Sequence, residues 1–454
     1  MDNVDDLLRA EIARRNEQES DLWSSPDCDK RDSAHAFFQY PAMMVPVVQR
    51  NLIDLITSVQ PDVRTVLDPF VGAGTTLTAA MYKGLDCYGQ DINPLAVLLS
   101  RSKTGPFFCD SLARRVQETV QVARADDSKE IEVEFPNLYK WFRHDVAVEL
   151  SRLRRAIRRQ GQAWARRFLW VALAETIRLT SNDRTSTYKL HVRPVGEVVG
   201  RKTSPIEVFS AVTERNLNDL LRLRLALEQC GYARRGRYTG KVKVLLRDTT
   251  EAVTPPDGEA GQLHDLLVTS PPYGDNTSTI TYGQHSYLPL QWIDLSDIDP
   301  AADESYLRTT QEIDRRSLGG KRPRELEDQI AELGSRSESL AATLQALVDK
   351  PRDRAARVAA FHADLEAALD CIVSSLAPNA YMIWTVGNRR VGGIEIPNHQ
   401  ILTEMLESRD AKLVAQVERV IHQKRMPHRN QIAEMMSRER ILVFRRIANT
   451  GTVQ

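Results

Sequence analysis

Short apolar runs alternate with helix-forming stretches along most of the chain. Seven of these runs have the length and the branched or aromatic content of buried strands. They lie at 63–67, 86–91, 242–246, 265–269, 381–386, 412–420 and 440–444. Stretches with helical periodicity separate several of them, as βαβ winding requires. The pattern therefore predicts an α/β fold built on one sheet whose strands are mostly parallel.

Two long segments interrupt this alternation. The first, 105–238, is helical and basic, and the second, 275–355, is helical and charged, with leucines at heptad-like spacing over 323–350. Those leucines are expected either to pack within a helical hairpin or to form a surface for a protein partner. Residues 1–34 are acidic and are expected to form a mobile or partner-facing arm. The expected catalytic core comprises three segments, 35–104, 239–274 and 356–448.

The formal net charge is zero, but the charges are unevenly distributed. Residues 151–250 contain 22 basic and 8 acidic side chains, an excess of 14 positive charges. Within them, Arg152, Arg155 and Arg159 share one face of a predicted helix. Such a face suits a phosphate backbone, although many charged faces are simply solvated. We expect the basic insertion to bind DNA or another nucleic acid.

Two polar loops add further basic side chains. Residues 181–191 follow an apolar helix and include Arg184 and Lys189 among short hydrogen-bonding side chains. Residues 422–430 are basic and rich in turn formers, and include Lys424 and Arg425. Side chains of these types contact both phosphates and base edges.

The chain lacks the features of a membrane or secreted protein. No apolar run approaches the roughly 20 residues of a membrane span, and the acidic N-terminus lacks the basic-then-apolar order of a signal peptide. The five cysteines, Cys28, Cys87, Cys109, Cys230 and Cys371, form no Cys-x-x-Cys pair. This argues against a disulfide framework or a zinc site. We therefore expect a cytoplasmic protein with no metal site.

The first strand runs into a glycine-rich string, Asp68-Pro69-Phe70-Val71-Gly72-Ala73-Gly74-Thr75-Thr76. It is typical of a strand, a tight turn and a helix start. Gly72 and Gly74 permit positive φ and let a ligand approach the backbone. Thr75 or Thr76 is expected to cap the following helix.

The second strand ends in an acid, Asp91, before Asn93 and Pro94. In dinucleotide-binding folds an acid about 20 residues beyond the glycine turn accepts the ribose hydroxyls. The alternative is that Asp91 caps the helix that Pro94 begins. The two roles are compatible.

A third string, Ser270-Pro271-Pro272-Tyr273, follows the buried run at 265–269. The two prolines end the strand and fix a stiff corner. Such a corner holds carbonyl groups and an aromatic ring at the carboxyl end of a strand, where open α/β sheets bind ligands.

Together the three strings resemble DNA amino-methyltransferases, which transfer a methyl group from S-adenosylmethionine to an exocyclic amino group of a base. The Ser-first tetrapeptide is most similar to motif IV of the cytosine-N4 branch. Residues 35–46 are similar to motif X, which packs over the cofactor, or form a hydrophobic staple. The resemblance implies a Rossmann-like sheet that ends in an antiparallel hairpin formed by the last two strands.

The resemblance also implies roles for individual residues. The glycine turn would wrap the methionine portion of the cofactor and Asp91 would bind its ribose. Asp248, after the third strand, would contact the cofactor's adenine or cap the strand end. The residues expected to bind S-adenosylmethionine are Tyr40, Asp68, Pro69, Phe70, Gly72, Gly74, Thr75, Asp91, Asn93 and Asp248.

The implied mechanism starts with a base flipped out of the duplex, because the pocket cannot reach an amino nitrogen inside the stack. Tyr273 would stack on the ring, and Ser270 and the Pro271 carbonyl would accept hydrogen bonds from the amine, with Pro272 completing the corner. Cytosine-C5 chemistry is not expected, because none of the cysteines follows a proline. Adenine-N6 methylation, RNA methylation and a non-catalytic nucleic-acid-binding role remain as alternatives to cytosine-N4 methylation.

Overall fold

A computed structural model describes residues 2–19, 21–25, 34–257, 261–322, 325–350, 353–421 and 438–447. The helices are α1 (Asp2–Gln18), α2 (Pro46–Val59), α3 (Thr75–Met81), α4 (Pro94–Lys103), α5 (Cys109–Ala125), α6 (Leu138–Trp141), α7 (His144–Arg158), α8 (Ala163–Thr180), α9 (Val195–Gly200), α10 (Pro205–Gln229), α11 (Tyr282–Trp292), α12 (Glu312–Arg316), α13 (Leu326–Gly334), α14 (Glu338–Val348), α15 (Arg354–Ser374) and α16 (Asn398–Glu407). The strands are β1 (Thr65–Asp68), β2 (Asp86–Asp91), β3 (Ala233–Arg234), β4 (Arg237–Tyr238), β5 (Val242–Leu246), β6 (His264–Thr269), β7 (Leu376–Val386), β8 (Arg389–Val391), β9 (Ile394–Ile396), β10 (Ala411–Val420) and β11 (Arg438–Arg446).

One seven-stranded sheet, in the order β10-β11-β7-β6-β1-β2-β5, organises the fold. The strands from β7 to β5 pair in parallel, and β11 is antiparallel to both of its neighbours. All seven predicted strands lie in this sheet, which confirms the predicted Rossmann-like α/β fold and its terminal antiparallel pair. β7 begins at Leu376 rather than 381, because the chain keeps pairing through a register shift despite Pro378.

The two faces of the sheet carry separate apolar cores because successive side chains point to opposite faces. On β1, Val66 packs into one core and Leu67 into the other; on β6, Leu266 and Leu267 divide in the same way. These four side chains are fully buried. The first core includes α2 to α5 and the basic insertion, and the second includes α13 to α16. The sheet is therefore covered on both sides, as parallel strands require.

The predicted insertions have different structures. In the first, α5, α7, α8 and α10 pack on one another, and α8 also packs on α4. In the second, α13 and α14 pack together and against α15. Leu340 and Leu344 of α14 are fully buried within the chain, so the heptad-like leucines form the helical hairpin that was one of the two readings. No helix within the described ranges is long and apolar enough to cross a membrane.

The expectation of a mobile acidic arm is wrong for residues 2–18. Helix α1 packs on α2 and β10, with Leu8 and Ile12 buried in the first core. Asp5 is 1% exposed, accepts a hydrogen bond from the Tyr381 hydroxyl at 2.9 Å and lies 3.2 Å from the Arg445 guanidinium. At least one acidic side chain of this segment is therefore buried in the fold, where Arg445 of β11 neutralises its charge.

Candidate active site

A cavity that opens to solvent lies at the carboxyl edge of β1, β2, β5 and β6. This is the edge at which open α/β sheets bind ligands. The residues of the predicted site that line it are Tyr40, Pro69, Phe70, Gly72, Thr75, Asp91, Asn93, Asp248, Ser270 and Pro272. The other predicted site residues adjoin lining residues in the chain but are not part of the lining: Asp68, Gly74, Pro271 and Tyr273. The three sequence strings therefore meet at one cavity, although they are far apart in the chain.

The glycine turn after β1 adopts the conformation that its sequence suggests. Gly72 has φ +48° and Gly74 has φ +76°, both in the left-handed region. A Cβ on Gly74 would lie 2.9 Å from the Ser100 hydroxyl oxygen, so close packing of α4 also requires this glycine. The predicted threonine cap is wrong, because Gly74 itself occupies the N-cap position and Thr76 donates instead to the Val268 carbonyl at 3.2 Å.

Asp91 joins this turn to the next one. One carboxylate oxygen accepts the Gly72 backbone N–H and the other accepts the Asn93 N–H, both at 2.9 Å. Burial raises the pKa of Asp91 to about 6. The cap of α4 is Asn93, whose side-chain oxygen accepts the Leu95 N–H at 3.0 Å. Asp91 therefore braces both turns while it lines the cavity, and each oxygen retains a lone pair for a hydroxyl donor.

Asp68 has a structural role that the sequence strings did not indicate. Its side chain is fully buried and accepts hydrogen bonds from the Thr269 hydroxyl at 2.7 Å and the Phe70 N–H at 3.2 Å. Burial raises its pKa to about 6. Asp68 thus ties the end of β1 to the end of β6 beneath the cavity. A contact of its carboxylate with a cofactor stays a prediction.

A buried lysine, Lys103, anchors the same turn from below. Its ammonium donates to the Ala73 carbonyl at 2.8 Å and lies 3.3 Å from His35 Nδ1. Lys103 is fully buried and His35 nearly so. Burial lowers the pKa of Lys103 to about 7. Sequence reasoning missed this contact; the one available signal was a basic residue at the end of an otherwise apolar helix.

The segment that follows the Ser270–Tyr273 corner forms the opposite wall of the cavity. Tyr282 at the start of α11 lies with its ring centre 5.6 Å from that of Tyr40, and Ile313, Arg316 and Leu318 also line the cavity. No sequence pattern places them there, because the sequence predicts residues 275–355 as a separate charged insertion. The first part of that insertion instead completes the site.

The Ser270–Tyr273 corner is held by hydrogen bonds to its neighbours. The Ser270 hydroxyl donates to the Thr385 carbonyl of β7 at 3.1 Å. The Asn398 amide donates to the Tyr273 carbonyl at 2.9 Å, and the Tyr273 hydroxyl donates to Glu439 at 3.0 Å. The Tyr273 ring packs against the second core. Stacking of Tyr273 on a base therefore stays a prediction, whereas Ser270 and Pro272 face the cavity directly.

Asp248 forms the contacts expected of one of the two roles that the sequence left open. It lines the cavity, and its carboxylate accepts the Thr250 N–H at 2.9 Å and the Thr250 hydroxyl at 2.8 Å. These contacts are those of a strand-end cap. A contact of the same carboxylate with a cofactor adenine stays a prediction.

The predicted DNA-binding face on α7 is largely engaged within the chain. Arg155 forms an ion pair with Asp126 at 2.7 Å, and Arg152 donates to the Ser128 carbonyl at 3.1 Å. Arg159 is exposed. The loop between α5 and α6 therefore covers two of the three arginines.

Folding also compensates much of the positive excess in residues 151–250. Arg154 pairs with Glu132 and Asp294, and Arg166 pairs with Asp297. These carboxylates belong to residues outside that window. A charge count over a stretch of sequence misses such partners, because they arrive from elsewhere in the chain.

The loop after α8 remains a candidate DNA contact. Arg184 and Lys189 are exposed. Between them, the Tyr188 ring contacts the ring of His285 on α11, edge to face, with centres 5.7 Å apart. Tyr282, one turn before His285, lines the cavity. The loop is therefore connected to the cavity wall.

The remaining predicted DNA contacts, Lys424 and Arg425, lie outside the described residues. The strand ends that flank this segment are described: Val420 of β10 pairs with Arg438 of β11. Those ends lie at the edge of the sheet where Ser270 follows β6, because β11 runs antiparallel to β7. The chain leaves and re-enters the described fold beside the candidate site.

Comparisons with known proteins agree with the motifs. The N6/N4 methyltransferase family model, described as DNA methylase, matches residues 4–101. The Type II methyltransferase M.MvaI from Kocuria varians is 29% identical over 410 residues, which are 88% of this chain and 87% of that protein. The rRNA methyltransferase aviRa from Streptomyces viridochromogenes aligns over 92% of this chain and 91% of its own at 11% identity, with a TM-score of 0.34. That last similarity is too low to bear on substrate.

We expect Lys103→Met to change how stability depends on pH. Between pH 7 and about 10 the unfolded chain holds the lysine proton and the folded chain releases it, so wild-type stability rises with pH by up to about 1.4 kcal/mol per unit from this group. Below pH 7 both states are protonated and this contribution is flat. Urea unfolding at pH 7.5, 8.5 and 9.5 measures the slope. Lys83→Met, at a half-exposed lysine, is the control; an unchanged slope in Lys103→Met contradicts the expectation.

Proposed function

We propose that this chain, an amino-methyltransferase by its motifs and its relatives, methylates the exocyclic N4 of a cytosine in a specific DNA sequence. The observation that carries the proposal is the meeting of the glycine turn, Asp91 and the Ser270–Pro272 corner around one cavity. The family implies S-adenosylmethionine as the methyl donor. Adenine-N6 methylation is the second candidate, because both branches use this constellation.

The cavity fits such a cofactor. A Cβ added to Gly72 would lie 3.7 Å from the Tyr40 ring, an ordinary packing distance, and both residues line the cavity. Asp91 offers carboxylate lone pairs for ribose hydroxyls. Pro69, Phe70 and Tyr40 supply apolar and aromatic surface around it. When bound, the cofactor supplies a methyl group activated by a sulfonium.

The residues of the corner would orient the target amine. The hydrogen of the Ser270 hydroxyl is directed to the Thr385 carbonyl, so its lone pairs can accept an amine hydrogen. The Pro271 carbonyl would accept the second one. These bonds would turn the nitrogen lone pair toward the position of the donor methyl group once the base has left the duplex. The rate enhancement would come mainly from positioning and fixed dipoles.

The choice of cytosine over adenine rests on the serine at the head of the corner, which is a tendency of the cytosine-N4 branch. We expect N4-methylcytosine as the product in DNA. Mass spectrometry of nuclease-digested DNA after incubation with the protein and S-adenosylmethionine measures it, with RNA as a parallel substrate. Tyr273→Ala should impair turnover, since a base-stacking ring contributes roughly 1–3 kcal/mol. N6-methyladenine as sole product would overturn the cytosine assignment, and methylation of RNA alone would overturn the DNA assignment.

Cofactor binding gives a test that does not depend on the target base. Gly72→Val should lower S-adenosylmethionine affinity, because valine disfavours φ +48° and would project toward the cavity. Affinity of the wild type should also fall as pH drops below about 6, where Asp91 becomes protonated. Asp91→Asn should lose most of that dependence. Calorimetry between pH 5 and 8 measures both effects, with Asp86→Asn at the opposite end of β2 as control. A folded Gly72→Val variant with wild-type affinity would refute the cofactor assignment.

DNA affinity should depend on the loop that contacts α11. Replacing Arg184 and Lys189 together with alanine should weaken binding similarly on unrelated DNA sequences and reduce the salt slope by about 2, because phosphate contacts release counterions. Arg222→Ala, at a side chain that is 81% exposed on α10, is the control. Fluorescence anisotropy at several salt concentrations measures the slope. If the double variant and Arg222→Ala have the same salt slope, the loop does not contact DNA phosphates. The α7 arginines, Arg152, Arg155 and Arg159, would then be tested in the same way.

A further inference from the structure

A continuous hydrogen-bonded chain of side chains lies behind Ser270. The Ser270 and Tyr273 hydroxyl oxygens are 3.3 Å apart. The Tyr273 hydroxyl lies 3.0 Å from Glu439 Oε1, and Glu439 Oε2 accepts a hydrogen bond from Arg419 at 2.9 Å. The side chains of Glu439 and Arg419 are only 13% and 9% exposed. The ion pair is therefore shielded from solvent, and its interaction is stronger than that of a surface pair.

The sheet order brings these residues together. Ser270 follows β6, and the next strands in the sheet are β7, β11 and β10. Arg419 and Glu439 occupy directly paired positions on β10 and β11. The chain of contacts therefore crosses from the parallel part of the sheet to its antiparallel end. Both charged residues lie well over a hundred positions beyond the motif in the sequence.

The direction of the hydrogen bonds matters because each hydroxyl has one hydrogen and two lone pairs. Ser270 donates its hydrogen inward, to the Thr385 carbonyl at 3.1 Å. Tyr273 has two acceptors in reach, Glu439 and Ser270. A carboxylate is a stronger acceptor than a hydroxyl, and Glu439 is also the nearer of the two. Tyr273 therefore donates to Glu439, and its hydrogen stays off the lone pairs of Ser270.

We propose that Glu439 is a positioning residue for the methyl transfer: by accepting the Tyr273 hydrogen, it keeps Ser270 an acceptor toward the target amine. This inference rests on the proposed function, in which Ser270 must accept an amine hydrogen. If Tyr273 instead donated to Ser270, one of the serine lone pairs would be occupied and the amine would compete for the other. Arg419 fixes the carboxylate in place.

Glu439→Gln tests this with little change in shape. Arg419 can only donate, so the glutamine oxygen should face Arg419 and its amide hydrogens should face Tyr273. The Tyr273 hydroxyl would then donate to Ser270. We expect kcat for DNA methylation to fall about tenfold, the effect of one misplaced hydrogen bond in the transition state. The affinity for S-adenosylmethionine should be unchanged.

Tyr273→Phe distinguishes positioning from a merely structural role. The phenylalanine ring keeps the packing surface but has no hydrogen to donate to Ser270. The double variant Glu439→Gln with Tyr273→Phe should therefore recover the kcat of Tyr273→Phe alone. A structural defect at Glu439 would not be rescued by removing a hydroxyl. Glu418→Gln is the control, because Glu418 pairs with Arg438 on the same two strands at an exposed position.

A tenfold loss in Glu439→Gln that Tyr273→Phe restores supports the inference. A loss in Glu439→Gln that Tyr273→Phe does not reverse overturns it, and so does an unchanged kcat in Glu439→Gln when the wild type methylates DNA. If Glu439→Gln does not fold, Glu439→Met, which also removes the acceptor, is tested with the same rescue. A folded wild type that binds S-adenosylmethionine but methylates neither DNA nor RNA overturns the proposed function, and this inference falls with it.

Discussion

The carboxylate of Asp91 accepts the backbone N–H groups of Gly72 and Asn93 at 2.9 Å each, and the shape of the candidate site depends on this contact. It fixes the turns after two adjacent strands, β1 and β2, relative to each other. Partial removal from solvent raises the pKa of Asp91 to about 6, and the two N–H donors favour its charged form. With the turns held in this way, Gly72 lines the cavity, and Lys103 anchors the backbone of the next residue, Ala73.

The parts of this site that could be predicted from the sequence are those whose determinants are local. A buried strand, a glycine at positive φ and a proline corner can each be predicted from a few consecutive residues. The strands lie where such strings predict them, and eight of the ten residues expected to bind the cofactor line the cavity. Tyr282 and Arg316 could not be predicted, because their place in the wall depends on how residues 275–355 fold back. Lys103 was missed because its partners, His35 and Ala73, are distant in the chain.

The basic insertion shows the same limit for charge. Its excess of 14 positive charges is a property of a stretch of sequence, whereas a DNA partner meets only the charges that folding leaves exposed. Asp294 and Asp297, from the segment after motif IV, pair with arginines of α7 and α8. The loop with Arg184 and Lys189 keeps its exposure and contacts the cavity wall through Tyr188. Exposure and closeness to the cavity are therefore a better basis than the charge count for choosing candidate DNA contacts.

The serine at the head of the Ser270–Tyr273 corner imposes a requirement that an aspartate would not. An ionised carboxylate only accepts hydrogen bonds, so it presents lone pairs to an amine whatever surrounds it. A hydroxyl also carries a hydrogen, and it acts as a dependable acceptor only if a second group takes that hydrogen. Here the Thr385 carbonyl takes it, while Glu439 draws the Tyr273 hydrogen away. The Ser-first corner and the antiparallel end of the sheet are thus joined by hydrogen bonds, because β7 supplies the acceptor for Ser270 and β11 the acceptor for Tyr273.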